Sequence, residues 1–302
     1  MRTIKIGSRT SELALTQANI VIDMLKESFP EYKYEIIKIK TKGDMILNKT
    51  LSKIGGKGLF VKEIQTALLT KEIDIAVHSM KDMPAQAPDD LILGAITKRE
   101  DPRDVIVLKK GNSLDDLPKG ALVGSSSHRR KSQLLNIRPD LKMVDIRGNV
   151  ATRLSKMDTE GLDAVILAAA GLNRLGYDNK NFYYLDTDNY TPAVGQGALG
   201  CEIREDDLEI VEMVEKINHE ETYNCVMAER IYLKILEGGC HAPIGAYAKK
   251  TNDEIEITGM VGSKDGKTIL RHTTTGEFKD YLDVGKKLAN EMIKLGAKEF
   301  LK

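Results

Sequence analysis

The chain has 302 residues, 41% of them hydrophobic and 30% charged, and its 45 basic and 45 acidic side chains cancel. That length holds two or three domains with proper cores, and zero net charge supplies no global field for nucleic acid or an acidic membrane. No stretch approaches the ~18 apolar residues of a membrane span, and three cysteines without Cys-x-x-Cys spacing argue against a disulfide scaffold or a structural zinc site.

Residues 3–8 read as a strand, and the helix that follows carries Ala14, Ala18, Val21, Ile22 and Leu25 on one face and stops before Pro30. Residues 34–40 are the next strand. Residues 41–58 are rich in glycine and lysine, lack apolar periodicity and are expected to be a mobile loop. A helix at 59–72 and a buried strand at 74–78 complete a βαβ grammar, which implies a largely parallel sheet with helices on both faces.

The pattern restarts near residue 100, with strands at 105–108, 122–124, 142–146 and 163–168 and helices at 129–137 and 150–157. Ile6-Gly7-Ser8 leads into a helix as Val123-Gly124-Ser125 does, and Asp74-Ile75-Ala76-Val77 echoes Asp163-Ala164-Val165-Ile166. Two similar α/β domains facing one another are therefore expected. The last third differs: helices at 208–217 and 221–236, strands at 245–249, 254–261 and 268–275, and a helix at 281–295 make a small α+β domain.

At the entrance to that domain, Gly238-Gly239-Cys240-His241-Ala242-Pro243 sets one thiol on a bent loop. The glycines clear the backbone around the sulfur and Pro243 stops a helix from continuing. This suits a cysteine that meets a ligand, and equally a glycine-capped helix end with an inert, buried thiol. The N-terminal residues lack the apolar run of a signal peptide, so a cytoplasmic protein with reduced thiols is the simplest expectation.

Charge is local. Residues 121–155 hold seven basic side chains against Asp140 and Asp145, a patch suited to a small polyanion. Both strand-to-helix turns offer backbone N–H groups beside hydroxyls and arginines, and helix N-termini favour anions. Ser8, Ser125 and Ser126 are read as N-caps. Arg9, Arg129 and Arg130 oppose the helix dipole unless an anion arrives, which favours anion binding there; Lys131 and Arg138 are left to solvent. Arg147-Gly148-Asn149 with Arg153 forms a third such cluster.

Gly55-Gly56-Lys57-Gly58 is too short for a nucleotide phosphate loop, and no acidic–His cluster has metal-ligand spacing, so dispersed arginines point to carboxylates. Lys81 and Asp82 fall beyond the carboxyl end of strand 74–78, where parallel α/β sheets bind ligands. Asp82 can stabilise positive charge or move protons, or be a plain turn residue before Pro84. His78 is read as a packed strand end.

Gly238-Gly239-Cys240-x-Ala242-Pro243-Ile244-Gly245 resembles the cofactor-attachment signature of the porphobilinogen deaminase (hydroxymethylbilane synthase) family. The likeness runs along the chain through Arg9-Thr10-Ser11, Thr41-Lys42-Gly43-Asp44, Gly56-Lys57-Gly58-Leu59-Phe60, His78-Ser79-Met80-Lys81-Asp82, Gly124 to Arg130, Ile146-Arg147-Gly148-Asn149, Thr152-Arg153-Leu154 and Pro192-Ala193-Val194-Gly195-Gln196-Gly197. The resemblance implies two lobes like those of periplasmic binding proteins plus a small C-terminal α+β domain, divided as 1–98 with 195–217, 99–194, and 218–302.

It also implies the chemistry of a transferase of tetrapyrrole (haem) biosynthesis. Four porphobilinogen molecules are joined head to tail, with loss of ammonia, into the linear tetrapyrrole hydroxymethylbilane. The primer is a dipyrromethane cofactor bound by thioether to Cys240, with no metal. Lys81, Asp82, Ser127, Arg129, Arg130, Arg147 and Gly148 would hold the cofactor. Arg9, Ser11, Arg147, Arg153, Phe60 and Gln196 would hold substrate, and Asp82 would be the catalytic carboxylate. Asp44, Lys53 and Lys57 would belong to a lid. A cytoplasmic monomer acting on a small molecule, without nucleic acid or membrane, is expected. His128 replaces an apolar residue usual in the family, and His241 occupies a variable position.

Two other readings compete: a non-catalytic, two-lobed binding protein for a small dicarboxylate, which has no need of Cys240, and a cysteine hydrolase pairing Cys240 with His78 or His241. The hydrolase needs a free, alkylatable thiol and carries no pyrrole chromophore.

Overall fold

The structure, a computed structural model, describes residues 2–45, 61–84, 88–177, 181–236 and 242–301. The chain forms two compact units: the described residues before Asp101 with Ala198–Tyr223, and Asp101–Gly197 with the residues from Asn224 onward.

In chain order, β1 (Thr3–Arg9) runs through Ser11 into α1 (Glu12–Ser28), whose apolar stripe Ala18, Val21, Ile22 and Leu25 is buried as its spacing predicts. β2 (Lys33–Ile39) follows, then α2 (Lys42–Met45), a single helical turn inside the segment expected to be a loop; the rest of that segment lies outside the described residues. Next come α3 (Lys62–Leu69), β3 (Ile75–Ser79), β4 (Leu91–Ile96) and β5 (Asp104–Leu108). The second repeat is β6 (Leu122–Gly124), α4 (His128–Ile137), β7 (Lys142–Val144), α5 (Val150–Thr159), β8 (Ala164–Ala168), α6 (Ala169–Arg174) and β9 (Phe182–Leu185). The last third holds β10 (Leu199–Arg204), α7 (Leu208–Glu215), α8 (Glu220–Ile235), β11 (Ile244–Thr251), β12 (Glu254–Gly262), β13 (Ile269–Glu277) and α9 (Tyr281–Lys294).

The strands make two five-stranded sheets, β2-β1-β3-β10-β4 and β7-β6-β8-β5-β9, and the three-stranded sheet β11-β12-β13. In each large sheet four strands run in one direction and a single strand, β10 or β5, runs antiparallel to both of its neighbours. The sheets are thus mixed, where βαβ periodicity predicts largely parallel ones. The reason is connectivity: β5 enters its sheet before the rest of the second repeat, and β10 returns to the first sheet after it.

The expected repeat is physical. The carboxylate of Asp74, just before β3, accepts from Lys5 N at 2.9 Å, and that of Asp163, just before β8, accepts from Leu122 N at 2.8 Å. Each aspartate pins the start of its lobe's first parallel strand. β3 and β8 are buried on both faces, which explains their unbroken apolar runs. α1 and α7 cover one face of the first sheet, where Ile4, Val21 and Val214 share a core, and α3 covers the other through Ile64 and Leu68. In the last third the antiparallel sheet β11–β13 packs against α8 and α9 through Tyr232, Ile257, Leu288 and Met292.

Candidate active site

In the first unit, the buried strand β3 ends in a one-turn helix, Met80–Asp82, with Met80 as its buried anchor. Met80 N donates to the Ala198 carbonyl at 3.0 Å, which ties the turn to the entrance of β10. β1 is parallel to β3, so Arg9 and Ser11 come to the same sheet edge as Lys81 and Asp82. A small pocket there is lined by Arg9, Ser11, Gln17, His78, Ser79 and Asp82. The structure therefore brings together three of the residues singled out in the sequence: Arg9, Ser11 and Asp82.

Ser11, not Ser8, caps α1: its Oγ accepts from Ala14 N at 3.3 Å, while Ser8 Oγ donates to the Arg9 carbonyl. A capping hydroxyl still has its own hydrogen to donate to an anion. Asp82 is exposed, and among the described residues nothing hydrogen-bonds its carboxylate. Gln17 was not anticipated. It is a polar residue on the buried stripe of α1, and its amide exchanges hydrogen bonds with Ser79 Oγ at 3.0 and 3.2 Å. A polar side chain in an apolar period is a signal that could have found it.

In the second unit, Ser127 caps α4, with Oγ accepting from Arg130 N at 3.4 Å. Ser125 and Ser126 are not caps: Ser125 Oγ accepts from Ser127 N, and Ser126 Oγ donates to the Ile146 carbonyl at 2.7 Å. His128 is the half-buried first residue of α4.

Arg129 and Arg130 are buried, and the anion their position demands is internal. Asp104 of β5 receives Arg129 Nη1 at 2.7 Å, Arg130 Nη2 at 2.8 Å and Nε at 3.0 Å, and Gln196 Nε2 at 3.0 Å. Burial pushes the Asp104 carboxyl up most strongly, but the two guanidinium groups together outweigh it and hold it well below the usual carboxylate range. Two cations against one anion leave this cluster with a positive charge at the N-terminus of α4. Gln196 also donates to the Pro102 carbonyl at 2.7 Å. Asp104 was missed, although an acid at the head of an all-apolar strand must find a buried cation.

The Arg147-Gly148-Asn149 turn precedes α5, and Asn149 Oδ1 caps it by accepting from Thr152 N at 2.8 Å. Gly148 has φ 119°, and a Cβ there would sit 2.5 Å from Thr152, so the turn requires glycine. Arg153 Nε donates to the Gly148 carbonyl at 2.8 Å, which folds that guanidinium back over the turn. Arg174 at the end of α6, unmarked in the sequence reading, donates to the Gly197 carbonyl at 2.7 Å. Arg138 and Lys131, assigned to solvent, are engaged: Arg138 pairs with Asp140 and donates to the Leu114 and Leu117 carbonyls, and Lys131 pairs with Asp145. Cys240, His241, Phe60, Lys53, Lys57 and the Asp44 side chain lie outside the described residues. Among the described residues no group of His, Cys, Asp and Glu is arranged to hold a metal.

The fold is that of a two-lobed α/β protein with a small third sheet; the first unit holds the pocket of Arg9, Ser11 and Asp82, and the second holds Arg129 and Arg130 paired with Asp104. Residues 4–212 match the family model described as porphobilinogen deaminase, dipyromethane cofactor binding domain, and residues 223–294 match the porphobilinogen deaminase C-terminal domain. A porphobilinogen deaminase of Alkaliphilus metalliredigens is 62% identical over 301 residues, covering 100% of this chain and 95% of the relative. One of Shouchella clausii is 54% identical over 299 residues, covering 98% and 96%. Among solved structures, the methionine binding protein MetQ aligns with a TM-score of 0.46 at 17% identity, over 73% of this chain and 92% of that one. The chain belongs to the porphobilinogen deaminase family.

Proposed function

We infer that the chain is an enzyme of tetrapyrrole synthesis, joining four porphobilinogen molecules head to tail with release of ammonia. The observation that carries this reading is the pocket at the end of β3, where Asp82, a carboxylate without a hydrogen-bond partner among the described residues, sits with Arg9 and Ser11. Every pyrrole unit presents two carboxylates and one ring N–H. Guanidinium and hydroxyl donors beside an exposed carboxylate form the complementary set.

The same donor set fits a dipyrromethane cofactor. When bound, that group supplies the primer end to which new rings are added. Cys240, whose thiolate adds readily to an electron-poor carbon, would hold it by a thioether. Lys81, Ser127, Arg147, Gly148 and Arg153 would hold and orient carboxylates, Arg147 and Arg153 at the N-terminus of α5 where the dipole favours anions. Arg129 and Arg130, neutralised in part by Asp104, would add the residual charge of their cluster, with Gln196 bracing it. Asp82 would accept the ring N–H and stabilise the positive charge that develops as ammonia leaves.

The reading divides the chain into three domains, 1–98 with 195–217, 99–194 and 218–302, supported by one sheet in each. No helix among the described residues is long and apolar enough to cross a membrane. Burial pushes the Cys201 thiol up to about 12, which keeps it inert. A monomer in the cytoplasm acting on a small molecule completes the reading.

Intact-mass measurement tests the reading. Purified protein is expected to exceed its polypeptide mass by one dipyrrole and to colour with Ehrlich's aldehyde reagent, and Cys240→Ser to lose both. Bare mass in active wild-type protein would sink it. Arg147→Leu is expected to lower cofactor loading or turnover by about 10–100-fold, the value of one shielded charge-assisted contact. Unchanged loading and product formation would make that arginine structural.

A further inference from the structure

A buried polar chain lies behind the pocket at the end of β3, and the roles assigned above do not use it. Glu202 of β10 is fully buried; its Oε1 accepts from Gln65 Nε2 of α3 at 2.8 Å, and its Oε2 lies 3.0 Å from His78 Nε2. The sheet register explains the contact. His78 pairs with Gly200, so the next side chain on that face of β10 is Glu202. Gly200 has no room for a Cβ, which would fall 2.3 Å from Met80 Sδ. His78 lines the pocket with Asp82, and among the described residues its Nδ1 has no protein partner.

We propose that His78, oriented by Glu202, is the proton acceptor of the condensation: Nε2–H is donated to the Glu202 carboxylate, which leaves the Nδ1 lone pair to take the proton. This rests on the deaminase reading. Each head-to-tail addition breaks an aminomethyl C–N bond, whose electron pair leaves with ammonia, and makes a C–C bond at a ring carbon. The hydrogen on that carbon departs as a proton while its bonding electrons return to the ring. Nδ1 takes this proton once the C–C bond has formed and then yields it to solvent, where it balances the ammonia already released as ammonium. The resulting imidazolium faces the Glu202 carboxylate, 3.0 Å from Nε2. Asp82 is engaged with the ring N–H and is not available for the task. The charged groups around His78 are Glu202 behind it and Arg9 and Asp82 in the pocket; Gln17, Ser79 and Gln65 are neutral. A histidine that only packs at a strand end needs neither the pocket nor the carboxylate.

His78→Gln separates the two roles, because its carboxamide can still donate to Glu202 while nothing titratable replaces Nδ1. The variant holoenzyme is expected to carry its dipyrrole mass and to lose kcat by at least ~100-fold, with KM within about threefold of wild type. Independently of activity, 15N-histidine NMR of the wild-type holoenzyme should show His78 as the Nε2–H tautomer with Nδ1 unprotonated at neutral pH. Wild-type kcat in His78→Gln, or an Nδ1–H tautomer, overturns the proposal. Should His78→Gln fail to load or fold, the wild-type tautomer decides. Failure of the deaminase reading is distinct, since wild-type protein would then carry no dipyrrole and form no tetrapyrrole.

Discussion

Asp82→Glu is expected to load its cofactor and bind substrate with KM near wild type, yet to turn over at least ~100-fold more slowly. The carboxylate stands on a single helical turn whose first residue, Met80, is 1% exposed and whose backbone is tied to Ala198. That base does not shift to absorb an added methylene, so the oxygens move relative to the ring N–H. A misplacement of ~1 Å at a reacting centre can cost about 10²-fold. The loss should appear in kcat and kcat/KM together, the mark of an interaction made in the transition state. Near-normal single-turnover rates in Asp82→Glu would remove this carboxylate from the chemistry.

Asp104→Asn is expected to destabilise the second unit by about 3–5 kcal/mol, because it strands two buried guanidinium groups. Arg130 donates from each of its three side-chain nitrogens here, to Asp104 and to the Ile166 carbonyl, and no other acid among the described residues bonds it. The pH dependence has a definite sign. The folded-state carboxyl is held below its unfolded value of about 3.9. Its contribution is therefore complete above that value and is lost as pH falls below it. Urea denaturation at pH 7 should show the full deficit, and the gap between wild type and variant should narrow on acidification. Equal stabilities at pH 7 would mean that the charges are not coupled as drawn.

The first lobe's β1, α1 and β3 are legible because apolar spacing and burial coincide. β10 is not: Leu199-Gly200-Cys201-Glu202-Ile203-Arg204 places a glycine and two charges in six residues, yet all six are buried. Its charges are paid for mostly by distant partners, Glu202 by Gln65 and His78, and Arg204 by the Leu68 and Ile73 carbonyls and Asp74, with only Asp207 close in sequence. No local pattern encodes the long-range pairings. The site divides in the same way. Asp82 and the Arg147 turn are readable from strand ends, whereas Arg129 and Arg130 show only as cations until Asp104, far back in the chain, is placed beside them. The serine caps were misassigned because a run of hydroxyls does not say which residue precedes the first helical turn.

The late return of β10 bears on how the molecule is made. Until it arrives, β3 and β4 have a gap between them, and the pocket's histidine has no glutamate. A ribosome adding about 5–20 residues each second needs several seconds more to reach that strand. The lobe begun first at the exit tunnel is therefore finished after its neighbour's sheet, and a nascent chain halted near residue 190 should hold an open sheet that chaperones can grip.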